Sequence, residues 1–161
     1  MTTWRTMPAD DAADLAGRLR TLDWSWTMDD APAIVEQFGW TTISQRPRRI
    51  MLDTGFGPDS GTIQAKNGEV TRIELQLTDY AESTEKPELK TAFTHFAQAI
   101  TTELGEATGR VKAPTPQYRW AGPDTTVVLI LSAASIWLHL VTNTRLAADD
   151  RNLELDNQGL L

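Results

Sequence analysis

Cysteine is absent from all 161 residues, which excludes a disulfide framework, a zinc ribbon, an iron–sulfur site and a thiol nucleophile. Histidine is nearly absent: His95 and His139 are the two present, and neither has H-E-x-x-H spacing or carboxylates at metal-ligand spacing. The most apolar run, Val127 to Ala134, is far shorter than the roughly 20 residues that span a bilayer. The opening Met1-Thr2-Thr3-Trp4-Arg5 lacks the basic start and long apolar stretch of a signal peptide, so the expected location is the cytoplasm and no membrane partner is expected. There is no G-x-x-x-x-G-K-[ST] loop, no G-x-S-x-G elbow and no D-x-D-x-D-G calcium loop. Positive charge is in deficit. A net charge of −7 repels phosphate backbones, so nucleic acid is not an expected partner, and it favours a basic one. The plainest role of that acidity is solubility.

What is present is the content of one domain. A chain of this length buries roughly 68–70% of the surface it exposes when unfolded, and 40% of its residues are hydrophobic. Residues 1–161 read as a single domain without a linker or a convincing repeat, with a tail that frays after about residue 152. Pro8 to Leu22 reads as a helix, with Asp10 and Asp11 at the positive end of its dipole and Leu15, Leu19 and Leu22 as its apolar stripe. Asp29 or Asp30 caps a second helix, with Pro32 in its first turn, Ile34, Val35 and Phe38 buried, and Gly39 at its end. Strands follow at Trp40 to Ile43, Ile50 to Thr54, Thr62 to Lys66 and Val70 to Thr78. Asn67-Gly68 is the strongest hairpin signal, because both positions of a type I′ turn take positive φ. Ile73, Leu75 and Leu77 alternate with Arg72, Glu74 and Gln76, so one sheet face is expected to be wet.

Leu89, Phe93, Phe96, Ile100 and Leu104, spaced by four, three, four and four, mark a long helix from about Pro87 to Leu104, stopped by Gly105. Residues 105–116 read as a loop. Three strands follow at Gln117 to Ala121, Thr125 to Leu131 and Ser135 to Thr142, then a short helix from about Arg145. The expected fold is α+β: a curved antiparallel sheet of about six strands packed against helices, in the order α-α-β-β-β-α-β-β-β-(α), with three or four strands before the long helix.

Gly55-Phe56-Gly57-Pro58-Asp59-Ser60-Gly61 follows a strand, but its spacing is G-x-G-x-x-x-G and another strand comes next. A dinucleotide fingerprint needs G-x-G-x-x-G opening a helix, so a turn or bulge is the better reading. The carboxylates at Asp10, Asp11, Asp14, Asp29 and Asp30 are accounted for by helix capping. The six tryptophans read first as core, and an exposed one would be a binding anchor. With no catalytic constellation and no cofactor site in view, the chain is expected to bind something rather than to be an enzyme.

The blocks LRTLDWSWTMDDAPAIVEQFGW, MLDTGFGPDSGTIQAKNGEVTRIELQLTD, RWAGPDTTVVLIL and LHLVTNTRLAADD resemble, in this order, a family of small actinobacterial proteins of unknown function. Such genes lie beside secreted polymorphic toxins, including those of type VII secretion systems. The resemblance implies an immunity protein, similar in kind to the immunity factor for the tuberculosis necrotizing toxin, an NAD glycohydrolase. It implies a cytoplasmic antitoxin, monomeric when free, that binds one cognate toxin domain, covers its active site and needs no cofactor. The expected contacts are on two strand connections: Lys66, Asn67 and Gly68 at the hairpin tip, then Phe56 and Asp59 in the glycine-rich segment. Two other classes stay open. A cytoplasmic secretion chaperone for a type VII substrate would show a long apolar groove, and a small enzyme with an unrecognised site would show a deep pocket of convergent titratable groups.

Overall fold

Residues that alternate in polarity build a sheet with two unlike faces. The computed structural model describes residues 4–112 and 115–159. It contains helices α1 (Ala9–Arg20) and α2 (Ala31–Phe38), then strands β1 (Thr41–Arg46), β2 (Arg49–Asp53), β3 (Gly61–Lys66) and β4 (Glu69–Gln76). Helix α3 (Lys86–Leu104) follows, then β5 (Gly109–Val111), β6 (Gln117–Ala121), β7 (Thr125–Leu131), β8 (Ile136–Thr142) and helix α4 (Asn143–Asn157). All eight strands lie in one sheet of antiparallel neighbours, ordered β1-β2-β3-β4-β8-β7-β6-β5. The fold is thus two four-stranded meanders, the first preceded by α1 and α2 and the second by α3, each joined to the other through its last strand. That seam is in register around Glu74 opposite His139.

The α+β class and the antiparallel sheet agree with the sequence, but the strand count is eight rather than about six, and the chain carries a topological repeat where none is read from residues alone. Four strands precede α3, the larger of the two numbers expected. β5 forms inside the expected 105–116 loop by pairing Gly109–Val111 with Gln117–Arg119. Three residues are too few to show a period of two, so this strand has no sequence signature. Residues 113 and 114 of that stretch, and 160–161 of the tail, lie outside the described residues. α4 runs to Asn157, past residue 152, where fraying is expected.

One face carries the aliphatic half of the alternation. Ile50, Ile63, Ile73, Leu140, Val127 and Trp120 stand side by side across six strands, each at most 1% exposed. Helices α1 and α3 cover this row over β7 and β8, and α2 joins the same core and packs beside β1. In α1 the buried positions are Ala12, Ala13, Ala16 and Leu19, whereas Leu15 and Leu22 are only half-buried at its margin. Small side chains let α1 approach α3 closely: a Cβ added to Gly17 would meet Glu103 Oε1 at 2.7 Å. Helix α3 buries Leu89, Phe93, Phe96 and Ile100, as their spacing predicts. Gly39 ends α2 at φ 74, but Asp30 makes no side-chain cap, because the 3-10 turn Met28–Asp30 runs straight into the helix. Trp120 is buried and the other five tryptophans are half-buried, so no tryptophan is a free surface anchor.

The sheet has two free edges. At one, the pairing of β1 with β2 is interrupted by an irregularity between Thr42 and Ser44; at the other, β5 is three residues long.

Phe96 is 1% exposed between α3 and the aliphatic row. Phe96→Ala should lower the unfolding free energy by about 3–5 kcal/mol, read as a lower denaturant midpoint at unchanged slope. A parental midpoint would mean that α3 does not pack on the sheet.

Candidate functional site

The opposite sheet face carries the polar half of the alternation. Met51, Thr62, Glu74, His139, Val128 and Arg119 form one row across it. The expectation that this face is wet at Arg72, Glu74 and Gln76 needs correction. Gln76 is 3% exposed, and the side chains of Arg72 and Glu74 are 21% and 19% exposed. At Arg72 the cause is α4, which returns over β7 and β8 and engages it through Asp149, whereas Gln76 is buried apart from α4, its side-chain amide donating to Thr78 O. It presents Leu146, Asp149, Asp150 and Leu153 to the sheet, a spacing that keeps all four on one side of a helix. Its attachments are ionic. Arg72 pairs with Asp149, and Arg119 holds both oxygens of Asp150 at 2.7 and 2.9 Å. No α4 residue is buried, and a cleft of about 310 Å³ remains beneath the helix.

Glu74 is the hub of this face. Its Oε1 accepts hydrogen bonds from Gln64 Nε2 at 2.5 Å and Thr62 Oγ1 at 3.1 Å. Its Oε2 lies 3.3 Å from His139 Nε2 and 3.7 Å from Arg72 Nη1. Arg72 Nε is buried without a hydrogen-bond partner. Burial, and then the Arg72 guanidinium, push the His139 pKa down to about 3. An imidazole with so little proton affinity is a poor general base near neutrality. This cluster is suited to ordering the face, not to moving protons. Hydrogen bonding from Arg119 holds the Asp150 carboxyl below the usual range, as Arg5 does for Asp79.

A second feature lies where β1–β2 and β3–β4 turn and α4 begins. Asn67 and Gly68 have φ 54 and 79, the left-handed pair that their sequence predicts, and Lys66, Asn67 and Gly68 are exposed. Arg46, Arg48 and Arg49 arrive from the β1–β2 turn, and Arg145 from the first turn of α4. A cleft of about 440 Å³ is lined by Arg48, Arg49, Lys66 and Arg145, with no aspartate or glutamate in its wall. It shares Lys66, Thr71 and Arg145 with a second cleft of about 460 Å³. That second cleft is walled by Trp26, by hydroxyls such as Thr27 and Thr142, and by one carboxylate, Glu69. Trp26 has φ 58, a left-handed backbone that costs a bulky residue energy. The hairpin holds it there: Val70 N donates to Trp26 O and Met28 N to Gly68 O, both at 2.8 Å.

The other expected contacts start from a different loop, and of the two Asp59 reaches this surface through Arg49. Phe56 and Asp59 belong to the β2–β3 connection, at the opposite end of β3 from the hairpin tip, so the two loops form no shared protrusion. Phe56 is half-buried with the Arg5 guanidinium 5.2 Å from its ring centre. Asp59 reaches back to Arg49 at 2.6 Å. The Gly55 and Gly57 amides both donate to the Asp53 carboxylate, at 2.8 and 3.2 Å, so the loop's own aspartate occupies the donors that would cradle a phosphate. His95 is exposed on α3.

Sequence reasoning missed the gathering of Arg46, Arg48, Arg49 and Arg145 with Lys66, and the anchoring of α4 through Asp149 and Asp150. The Arg46-Pro47-Arg48-Arg49 run within an acidic chain is the available signal for the first. The adjacent aspartates Asp149 and Asp150 are a weak signal for the second, since a helix face of charges usually points to solvent.

Residues 10–142 match the family described as "Family of unknown function (DUF6301)", and the chain belongs to it. No curated protein and no solved structure matches the chain. The matched segment stops at Thr142, whose hydroxyl accepts from Arg145 N to cap α4, so the helix over the polar face lies beyond it.

The buried imidazole makes stability depend on pH. Unfolded, His139 takes up a proton near pH 6.5; folded, only near 3, so the unfolded state binds more protons in between. His139's contribution is fully present above about pH 6.5 and declines as pH falls from there toward 3. The lowered Asp79 and Asp150 carboxyls add losses only at the acid end of that window. His139→Gln should therefore flatten the fall in melting temperature between pH 6.5 and the carboxylate range. Melting curves that fall in parallel for variant and parent would refute the buried, neutral imidazole.

Proposed function

We propose that this chain is an immunity protein, an antitoxin that binds a folded cognate toxin domain in the cytoplasm and occludes its active site. The resemblance implies a toxin of the NAD glycohydrolase class. The observation that carries the binding reading is the hairpin end of the sheet. There an exposed Lys66-Asn67-Gly68 tip stands between two clefts, with Arg48, Arg49 and Arg145 around it and Arg46 opposite Arg49 in the neighbouring strand. A tip held by a tight turn loses little conformational freedom on docking. A standard interface of about 1,600 Å² in total would take in the tip and both clefts. The four cations that line the hairpin-end cleft set it apart from the long apolar groove that a secretion chaperone would show. The low proton affinity of His139 weighs against an acid–base enzyme on the polar face.

The reading is checked by co-expressing the chain with the toxin domain encoded beside its gene. The expected result is restored growth and a one-to-one complex on co-purification. Lys66→Ala combined with Asn67→Gly, which keeps the turn conformation, should weaken that complex. The melting curve should stay within about 0.5 kcal/mol of the parent, as for other exposed sites. Absence of both protection and complex sinks the immunity reading. Unchanged affinity in the double variant moves the interface away from the hairpin.

A further inference from the structure

Five cations gather at one end of a sheet in a chain of net charge −7. Their neutralisation within the chain is partial. Arg49 pairs with Asp59 in an exposed contact, and Arg145 pairs at 2.9 Å with Asp149, which Arg72 also engages. Arg46, Arg48 and Lys66 form no ion pair with any described residue. Like charges held side by side on fixed elements repel, and an incoming anion relieves that repulsion.

We propose that the cleft between the β1–β2 turn, the end of β3 and the start of α4 binds an acidic segment of a partner protein. Its Asp and Glu carboxylates lie against Arg48, Arg49 and Lys66, and its neutral continuation enters the Trp26 cleft. Three observations select this occupant. The cations come from three separate elements around an open space of about 440 Å³, far more room than one small tetrahedral anion fills. The cleft continues into a second whose wall holds Glu69, four residues with hydroxyl side chains besides Thr71, and Trp26, so that the positive charge of the shared Lys66 and Arg145 is diluted there. Glu69 and the overall negative field disfavour a uniform polyanion such as nucleic acid. A segment acidic at one end and neutral at the other matches both clefts at once. This deepens the immunity reading, on which the segment would belong to the toxin domain. It also reverses the basic partner that net charge alone implies: the patch that docks is the opposite in sign to the chain.

The test needs no toxin. A fluorescent peptide with an Asp/Glu-rich half and a Ser/Thr/Asn-rich half is titrated into the full chain by anisotropy, beside its Asn/Gln counterpart and inorganic phosphate as competitor. The acidic peptide should bind, its affinity should fall by about tenfold from low to physiological salt, and Arg48→Glu with Lys66→Glu should cost at least about tenfold. Melting curves confirm that the variant is folded. Equal binding of the neutral peptide, undiminished binding by the variant, or full displacement by phosphate at matched charge would overturn the proposal. The two proposals also separate. If the toxin fails to co-purify but the acidic peptide binds as described, the immunity reading falls and the cleft stands. If the charge-reversed variant protects cells as well as the parent, the toxin is bound but not through this cleft.

Discussion

The antiparallel pairing of β4 with β8 turns two meanders into one sheet and two partial hydrophobic faces into one. Joined around Glu74 and His139, the halves align Ile73 with Leu140, and the aliphatic row becomes continuous from Ile50 to Trp120. The seam brings together residues about 65 positions apart in the chain, from Arg72↔Val141 to Gln76↔Trp137. Ordering that length of chain before the pairing is rewarded is what makes non-local sheets slow to form. The same seam sets the polar row on the reverse side, because alternation leaves no choice of face once one register is fixed.

Much of this fold is legible in the sequence wherever a period runs long enough. The spacing of Leu89 to Leu104 locates α3 within a residue, the Ile73-Leu75-Leu77 alternation gives β4 its buried side, and Asn67-Gly68 marks its turn. Legibility ends where identity depends on a distant partner. β5 exists because Gln117–Arg119 lies beside it, and α1 buries alanines rather than Leu15 and Leu22 because α3 comes close. The polar face reads as wet from β4 alone; the return of α4 over Arg72 is invisible from that strand. Of the expected contacts, Lys66, Asn67 and Gly68 stand on a surface with clefts, whereas Phe56 and Asp59 are engaged by Arg5 and Arg49. Local turn chemistry identifies a protruding tip. It does not show which other loops share its end of the sheet.

The two faces also differ in how their covers are held. α1 and α3 are held by burial, which is insensitive to salt. α4 is held by carboxylate–guanidinium pairs at half-exposed positions, which salt screens. The segment that matches the family ends at Thr142, so the helix outside the match is also the one attached by the weaker and more condition-dependent kind of contact. Arg145 sits at the junction, pairing with Asp149 inside α4 while lining both hairpin-end clefts.

The irregular register of β1 and the brevity of β5 have a consequence for association. A long, flat edge strand is a template onto which another molecule's strand can add, and an eight-stranded sheet offers two such templates. Here the first is broken between Thr42 and Ser44 and ends at Arg46, and the second offers three residues. Ile43 is 46% exposed at that break, where the ladder beside it cannot continue in register. Growth of the sheet from copy to copy is thereby discouraged at both ends, leaving turns and faces, rather than open backbone, as the surfaces through which this chain meets others.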